Sequence, residues 1–327
     1  MFRRSLLLFL IGTGMGLPWI VQDWLSAPSS AESPEVSGSW SERVREIVRG
    51  SSHKEKSPPS ANRSESAERD PYPLAAKTRR LVEGFFGGAE SRGIAGVGAP
   101  PAAEAHSTPQ SRALVEEAAA RLAPGLRKHG LSLGDPTVLR LFKEENELEI
   151  WMKPSHEPLF TLFKVQRLAV SAGRPGPKLR EGDGQAPEGF YELRAGSLRP
   201  ETRHHLGLDL GFPNGLDQSR GRGGSEMMIH GGSEAAGGFG LAPGAMEEVY
   251  ALVDAALRKG ERCVPVHLFP FRLTDQRMDE VVEERSRWTE EWVNLKEGYD
   301  FFENVRMPPA IQTETGRYAF RIAGIEN

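Results

Sequence analysis

"TVLRLFKEENELEIWMK" (residues 137–153) is the stretch on which the fold turns. Leu148, Ile150 and Met152 alternate with Glu147, Glu149 and Trp151, as in a strand with one face buried and one face wet. Glu144–Asn146 breaks the alternation, so two strands joined by a tight turn are predicted. Downstream, "LFTLFKVQRLAVSAG" (159–173), "GFYELRAGSL" (189–198), "HHLGLDLGF" (204–212) and "EMMIHG" (226–231) read as further strands between Gly-, Pro- and Asp-rich turns. "CVPVHLFPF" (263–271) reads as the last core strand.

Helical signals flank these strands. Thr108-Pro109 is a cap followed by a first-turn proline, opening a helix to about Leu122 with Leu114, Ala118 and Leu122 on one face. "GAMEEVYALVDAALRKG" (244–260) places Met246, Val249, Tyr250, Val253, Ala256 and Leu257 on one apolar face. Its Glu247 and Glu248 suit a positive helix N-terminus, and Gly260 can end it. Residues 275–304 form a charged, amphipathic, helical tail. The expected class is α+β: a β-rich domain with helices on one side.

The N-terminal end carries an export pattern. Arg3 and Arg4 precede an apolar run from Leu6 to Val21, shorter than the roughly 20 residues of a spanning helix but ample for a signal-peptide core. Ser29-Ser30-Ala31 supplies small residues for cleavage, and an uncleaved anchor is the alternative. Either way the body of the protein is expected outside the cytoplasm, in the periplasm or cell envelope. The organisation read from the sequence is a leader over 1–31, a low-complexity and mostly disordered spacer over 32–107, a helix over 108–130 and a domain over 131–327. Within the spacer, Leu74, Leu81, Val82 and Phe85 are spaced for a short helix near 74–86.

Composition narrows the function classes. Of 327 residues, 38% are hydrophobic and 26% charged, with a formal net charge of −4 and no clustered basic stripe. Nucleic-acid binding therefore has no footprint here. The lone Cys263 cannot form an intramolecular disulfide and is expected as a buried core thiol. Four residues of strand would hold it about 13 Å from His267. His204 and His205 would point to opposite faces of a strand and so could not chelate one metal together; nothing in the sequence asks for a metal or cofactor.

"EMMIHGGSEAAGGFGLAP" (226–243) is the chemical centre of the sequence. His230 ends an apolar strand and runs into glycines whose freed backbone N–H groups could stabilise developing negative charge. Acyl transfer would also require a nucleophile within reach of that histidine; by sequence the candidates are Ser225, Ser233 and Cys263.

From about residue 138 to 310 the chain resembles the L,D-transpeptidase catalytic domain (YkuD-type), in its YafK-like branch. The matching segments are "VLRLFKEENELEIWMK", "GPKLREGDGQAPEGFYEL", "LDLGFPNGLDQSRGR", "MMIHGG", "AMEEVYALVDAAL", "PVHLFPFRLT" and "WVNLKEGYDFFE". The resemblance implies an envelope enzyme fold acting on peptidoglycan stem peptides, in which a cysteine attacks an amide, forms a thioester and transfers or hydrolyses it. Some members of this branch cut the link between peptidoglycan and an envelope protein. In the family's site, His-Gly and two variable residues are followed by x-Ser-x-Gly-Cys. The corresponding residues are His230, Gly231, Ala235 for the serine, Gly237 and Gly238 for the cysteine.

With glycine at 238 and alanine at 235, the resemblance implies a degenerate domain that binds peptidoglycan peptides or an envelope partner without forming a covalent intermediate. Asn214, Asp217 and Arg222, with Arg220, are the polar groups expected to meet a peptide. "QAPEGFY" (185–191), turned by Pro187 and Gly189, is expected to be either a plain hairpin turn or a substrate contact. Two alternatives stand beside this reading: an active peptidoglycan-peptide enzyme using Ser233 with His230, and a purely structural interaction module.

Overall fold

The computed structural model describes residues 107–234 and 237–321, all within one unit, Lys54–Asn327. The leader, the spacer up to residue 106, the helix expected near 74–86 and Ala235 lie outside the described residues. Among the described residues no helix is long and apolar enough to cross a membrane.

Helix α1 (Pro109–Lys128) starts where its cap predicts. The Thr108 hydroxyl accepts from the Ser111 amide at 3.1 Å, and the Ser111 hydroxyl accepts from the Thr108 amide at 2.9 Å. The helix runs past Leu122 because Leu126 continues the stripe of Ala118 and Leu122 into the core, with Pro124 carried inside it.

Strands β1 (Thr137–Phe142) and β2 (Glu147–Met152) form the predicted antiparallel hairpin. They sit inside a nine-stranded sheet with β3 (Thr161–Ser171), β4 (Gly189–Leu193), β5 (Leu198–Arg199), β6 (Gly207–Asp209), β7 (Met228–Gly231), β8 (Phe239–Leu241) and β9 (Val264–Phe269), in the order β4-β9-β1-β2-β3-β8-β7-β6-β5. The long β3 joins the two halves: its first part pairs with β2 and its end with β8.

Helix α3 (Pro243–Arg258) buries all six predicted apolar residues. Its two early glutamates do more than meet a helix end. Glu247 binds Arg121 of α1 at 2.5 Å and His205 at 2.8 Å, and Glu248 binds Lys164 at 2.5 Å and Gln166 at 2.8 Å on β3. These contacts fix the helix over the sheet.

Two expectations need correction. The strand over 147–152 is not half-exposed, because Glu149 and Trp151 are as buried as Leu148, Ile150 and Met152. Helices also do not keep to one side. Leu148, Ile150 and Met152 share a core with α1 and α3, whereas Trp151 packs edge-on against Phe302 at 5.2 Å. Phe302 belongs to α5 (Thr289–Val305), which follows α4 (Asp275–Glu283). The tail is helical as predicted, then closes with an unanticipated antiparallel hairpin, β10 (Ala310–Glu314) and β11 (Arg317–Arg321), outside the main sheet. Tyr318 roots it: 4% exposed, its ring lies 5.1 Å from that of Phe190 on the edge strand β4.

Candidate functional site

His230 is carried by β7, antiparallel to β6 and parallel to β8. The side chain is 4% exposed. Burial pushes its pKa below the ordinary histidine value, so the ring is neutral near pH 7. The imidazole stacks on His204 with centroids 4.3 Å apart, and Nδ1 lies 3.4 Å from the Gly231 carbonyl oxygen. Arg203 Nε donates to His204 Nε2 at 3.0 Å, which orients the upper ring of the stack.

Around this histidine, backbone packs against backbone. The Gly231 amide donates to the His205 carbonyl at 2.9 Å, and a Cβ on Gly231 would lie 2.2 Å from that same oxygen. A Cβ on Gly238 would lie 2.2 Å from the Met228 carbonyl oxygen and 3.2 Å from its nitrogen. The Gly238 carbonyl accepts from the Ala172 amide at 3.1 Å. Position 238 therefore bears no side chain and faces main chain with no room for one. Beside it, a Cβ on Gly237 would lie 2.8 Å from the Met227 side chain and 3.8 Å from the Gln185 carbonyl oxygen, so "QAPEGFY" borders the glycine loop.

Among the described residues none of the other nucleophile candidates is hydrogen-bonded to His230. Ser233 is exposed, and among the described residues no hydrogen bond joins it to the histidine. Ser225 bonds Glu181 at 3.1 Å. Cys263 precedes β9, at the opposite half of the sheet order from β7, and is half-buried rather than fully buried. Burial, reinforced by Glu192, pushes its thiol up to about 11, so it stays protonated at neutral pH.

His204 and His205 are not strand-borne; both precede β6, with His204 on His230 and His205 on Glu247. Among the described residues no group of His, Cys, Asp or Glu could hold a metal ion.

Asn214, Asp217 and Arg222 are brought together around α2 (Gly215–Ser219). Asn214 caps that helix, its side-chain oxygen accepting from the Asp217 amide at 3.0 Å. Its amide nitrogen donates to the Phe190 carbonyl at 3.0 Å and to the Tyr318 hydroxyl at 2.7 Å. The Tyr191 hydroxyl donates to Asp217 at 2.6 Å; Arg222 reaches Asp217 at 3.3 Å and Glu291 of α5 at 2.5 Å. Arg220 shares Glu291 at 2.7 Å. These groups bind one another and the C-terminal elements.

Sequence reasoning passed over two buried polar clusters. Lys143 Nζ donates to Gly176 O at 2.8 Å, Ala186 O at 3.0 Å and Glu188 at 3.2 Å. Glu188 also accepts from the Gly176 amide at 2.6 Å and Trp292 Nε1 at 2.9 Å. On the neighbouring strands, Arg140 is fully buried among five aromatic rings and bonded to Glu303 at 2.7 Å, beside a His267 that is 1% exposed. Charged residues at interior strand positions were the available signal.

With the geometry in place, relatives supply the family. Over 186 residues the chain is 34% identical to the Escherichia coli K12 protein named "Putative L,D-transpeptidase YafK", spanning 57% of this chain and 74% of that one. The chain belongs to the YafK family. The YafK of Escherichia coli O157:H7 matches equally well, whereas no family model matches. Among solved structures, the helical cell shape determining protein Pgp2 of Campylobacter jejuni is 16% identical, with a TM-score of 0.33, over 62% of this YafK-family chain and 80% of Pgp2. Bd1075 of Bdellovibrio bacteriovorus is 18% identical with a TM-score of 0.29, over 52% of this chain and 61% of its own.

Proposed function

We propose that this is an exported, catalytically silent YafK-family domain that binds peptidoglycan stem peptides in the cell envelope without acylating itself. The observation that carries this reading is Gly238, which stands where the family resemblance puts the nucleophilic cysteine and abuts the Met228 carbonyl. A glycine offers no atom to attack an amide, and no described serine or cysteine is hydrogen-bonded to His230. The His230–His204 stack and the backbone groups around it remain as a surface for a peptide. The leader delivers the domain to the envelope, either removed or retained as an anchor.

Incubating purified protein with stem peptides tests this. Peptide masses should stay unchanged and no covalent adduct should form, while His230→Ala weakens peptide binding several-fold. Turnover abolished by Ser233→Ala would overturn the reading in favour of a Ser233–His230 hydrolase. Absence of any peptide binding would leave a structural module.

A further inference from the structure

Between the first turns of α1 and the last turns of α3 lies a cavity of about 230 Å³, remote in sequence from the His230 loop. This is below the roughly 300–1,000 Å³ of pockets for drug-sized ligands, so it has room for a small molecule. Tyr250 lines it, only 2% exposed, yet among the described residues its hydroxyl has no hydrogen-bond partner. A buried hydroxyl without a partner is costly, and a ligand acceptor would relieve that cost. Burial, with Asp254 nearby, raises the phenol pKa, so the hydroxyl remains a donor at any physiological pH.

The charges around the cavity are arranged as a pair. Asp254 is satisfied internally, both its oxygens accepting from Arg258 Nε at 2.9 and 2.8 Å. Arg112 and Glu116 line the cavity one turn apart on α1, and among the described residues no ion pair joins them. Among the described residues Arg112 is bonded through its Nε alone, to Ser107 at 3.3 Å. Val115 adds an apolar surface between the two. A carboxylate could accept from Tyr250 and Arg112 while an ammonium faces Glu116.

We propose that this cavity binds a small zwitterion, an α-amino acid with a compact apolar side chain. The test is calorimetry of the full chain with valine as probe, and with acetate and methylamine as half-ligands. Valine should bind saturably, and each half-ligand at least about tenfold more weakly. Tyr250→Phe, which removes one oxygen, should weaken valine about tenfold, the scale of one buried hydrogen bond to a charged group. Arg112→Gln, at an exposed position, should do the same and keeps the test open if the tyrosine variant fails to fold. Valine that does not saturate at its solubility limit, or that binds both variants as it binds the unaltered chain, overturns the proposal.

Discussion

The Met228 carbonyl oxygen lies 2.2 Å from the point a Cβ on Gly238 would occupy, a separation no real side chain tolerates. Because that neighbour is backbone, Gly238→Ala and Gly238→Cys can be accommodated only by moving main chain at β7 or at Gly238 itself. Forced overpacking of this kind costs about 1–3 kcal/mol. For a domain of this size the melting temperature should fall by about 2–4 °C per kcal/mol. Both variants should melt below the unaltered chain in a calorimetric scan; equal melting temperatures would mean the strands yield freely here.

How much of this was legible beforehand differs by layer. The β1–β2 hairpin, α1 with its Thr108 cap and the apolar face of α3 were readable because period and capping are local properties. Burial of Trp151 was not readable, because it depends on α5, more than a hundred residues downstream, folding back over that face. Asn214 and Asp217 looked like free polar groups because the partner that claims Asn214 is Tyr318, in a hairpin the sequence did not announce. The glycines of the site loop were conspicuous, yet their steric meaning at 231 and 238 needed the backbone of His205 and Met228 in place.

Lys143 and Glu188 tie the segment bordering the glycine loop to β1 and α5 through bonds that leave neither charge idle. Removing one partner of a buried ion pair strands the other. Lys143→Met should therefore cost about 3–5 kcal/mol in urea unfolding, whereas Lys143→Met with Glu188→Gln should recover part of that loss. Because Trp292 donates to Glu188, its fluorescence should change in the single variant before global unfolding. A single variant within about 0.5 kcal/mol of the unaltered chain, the range of ordinary surface substitutions, would show the pair to be dispensable.

His267 should make the fold acid-sensitive. It pairs in register with Arg140 on β1, lies 4.9 Å from the Phe190 ring, and among the described residues has no partner for either ring nitrogen. Burial first, then the Arg140 charge, holds its pKa well below 6.5. A base depressed in the folded state takes up its proton preferentially when unfolded, so its contribution is full above about pH 6.5 and is lost as the pH falls below that value. As the pH falls from 7 to 5 this single group should therefore remove stability. Carboxyls with raised pKa values, Glu145, Glu188, Asp217, Glu261 and Asp300, act in the opposite direction, so the comparison must be made by difference. His267→Phe should match or exceed the unaltered chain in stability at pH 7, since it removes two unsatisfied nitrogens from an aromatic cage. Urea unfolding of both chains at pH 7 and pH 5 should then show the unaltered chain losing more stability than the variant; parallel losses would place the acid sensitivity elsewhere.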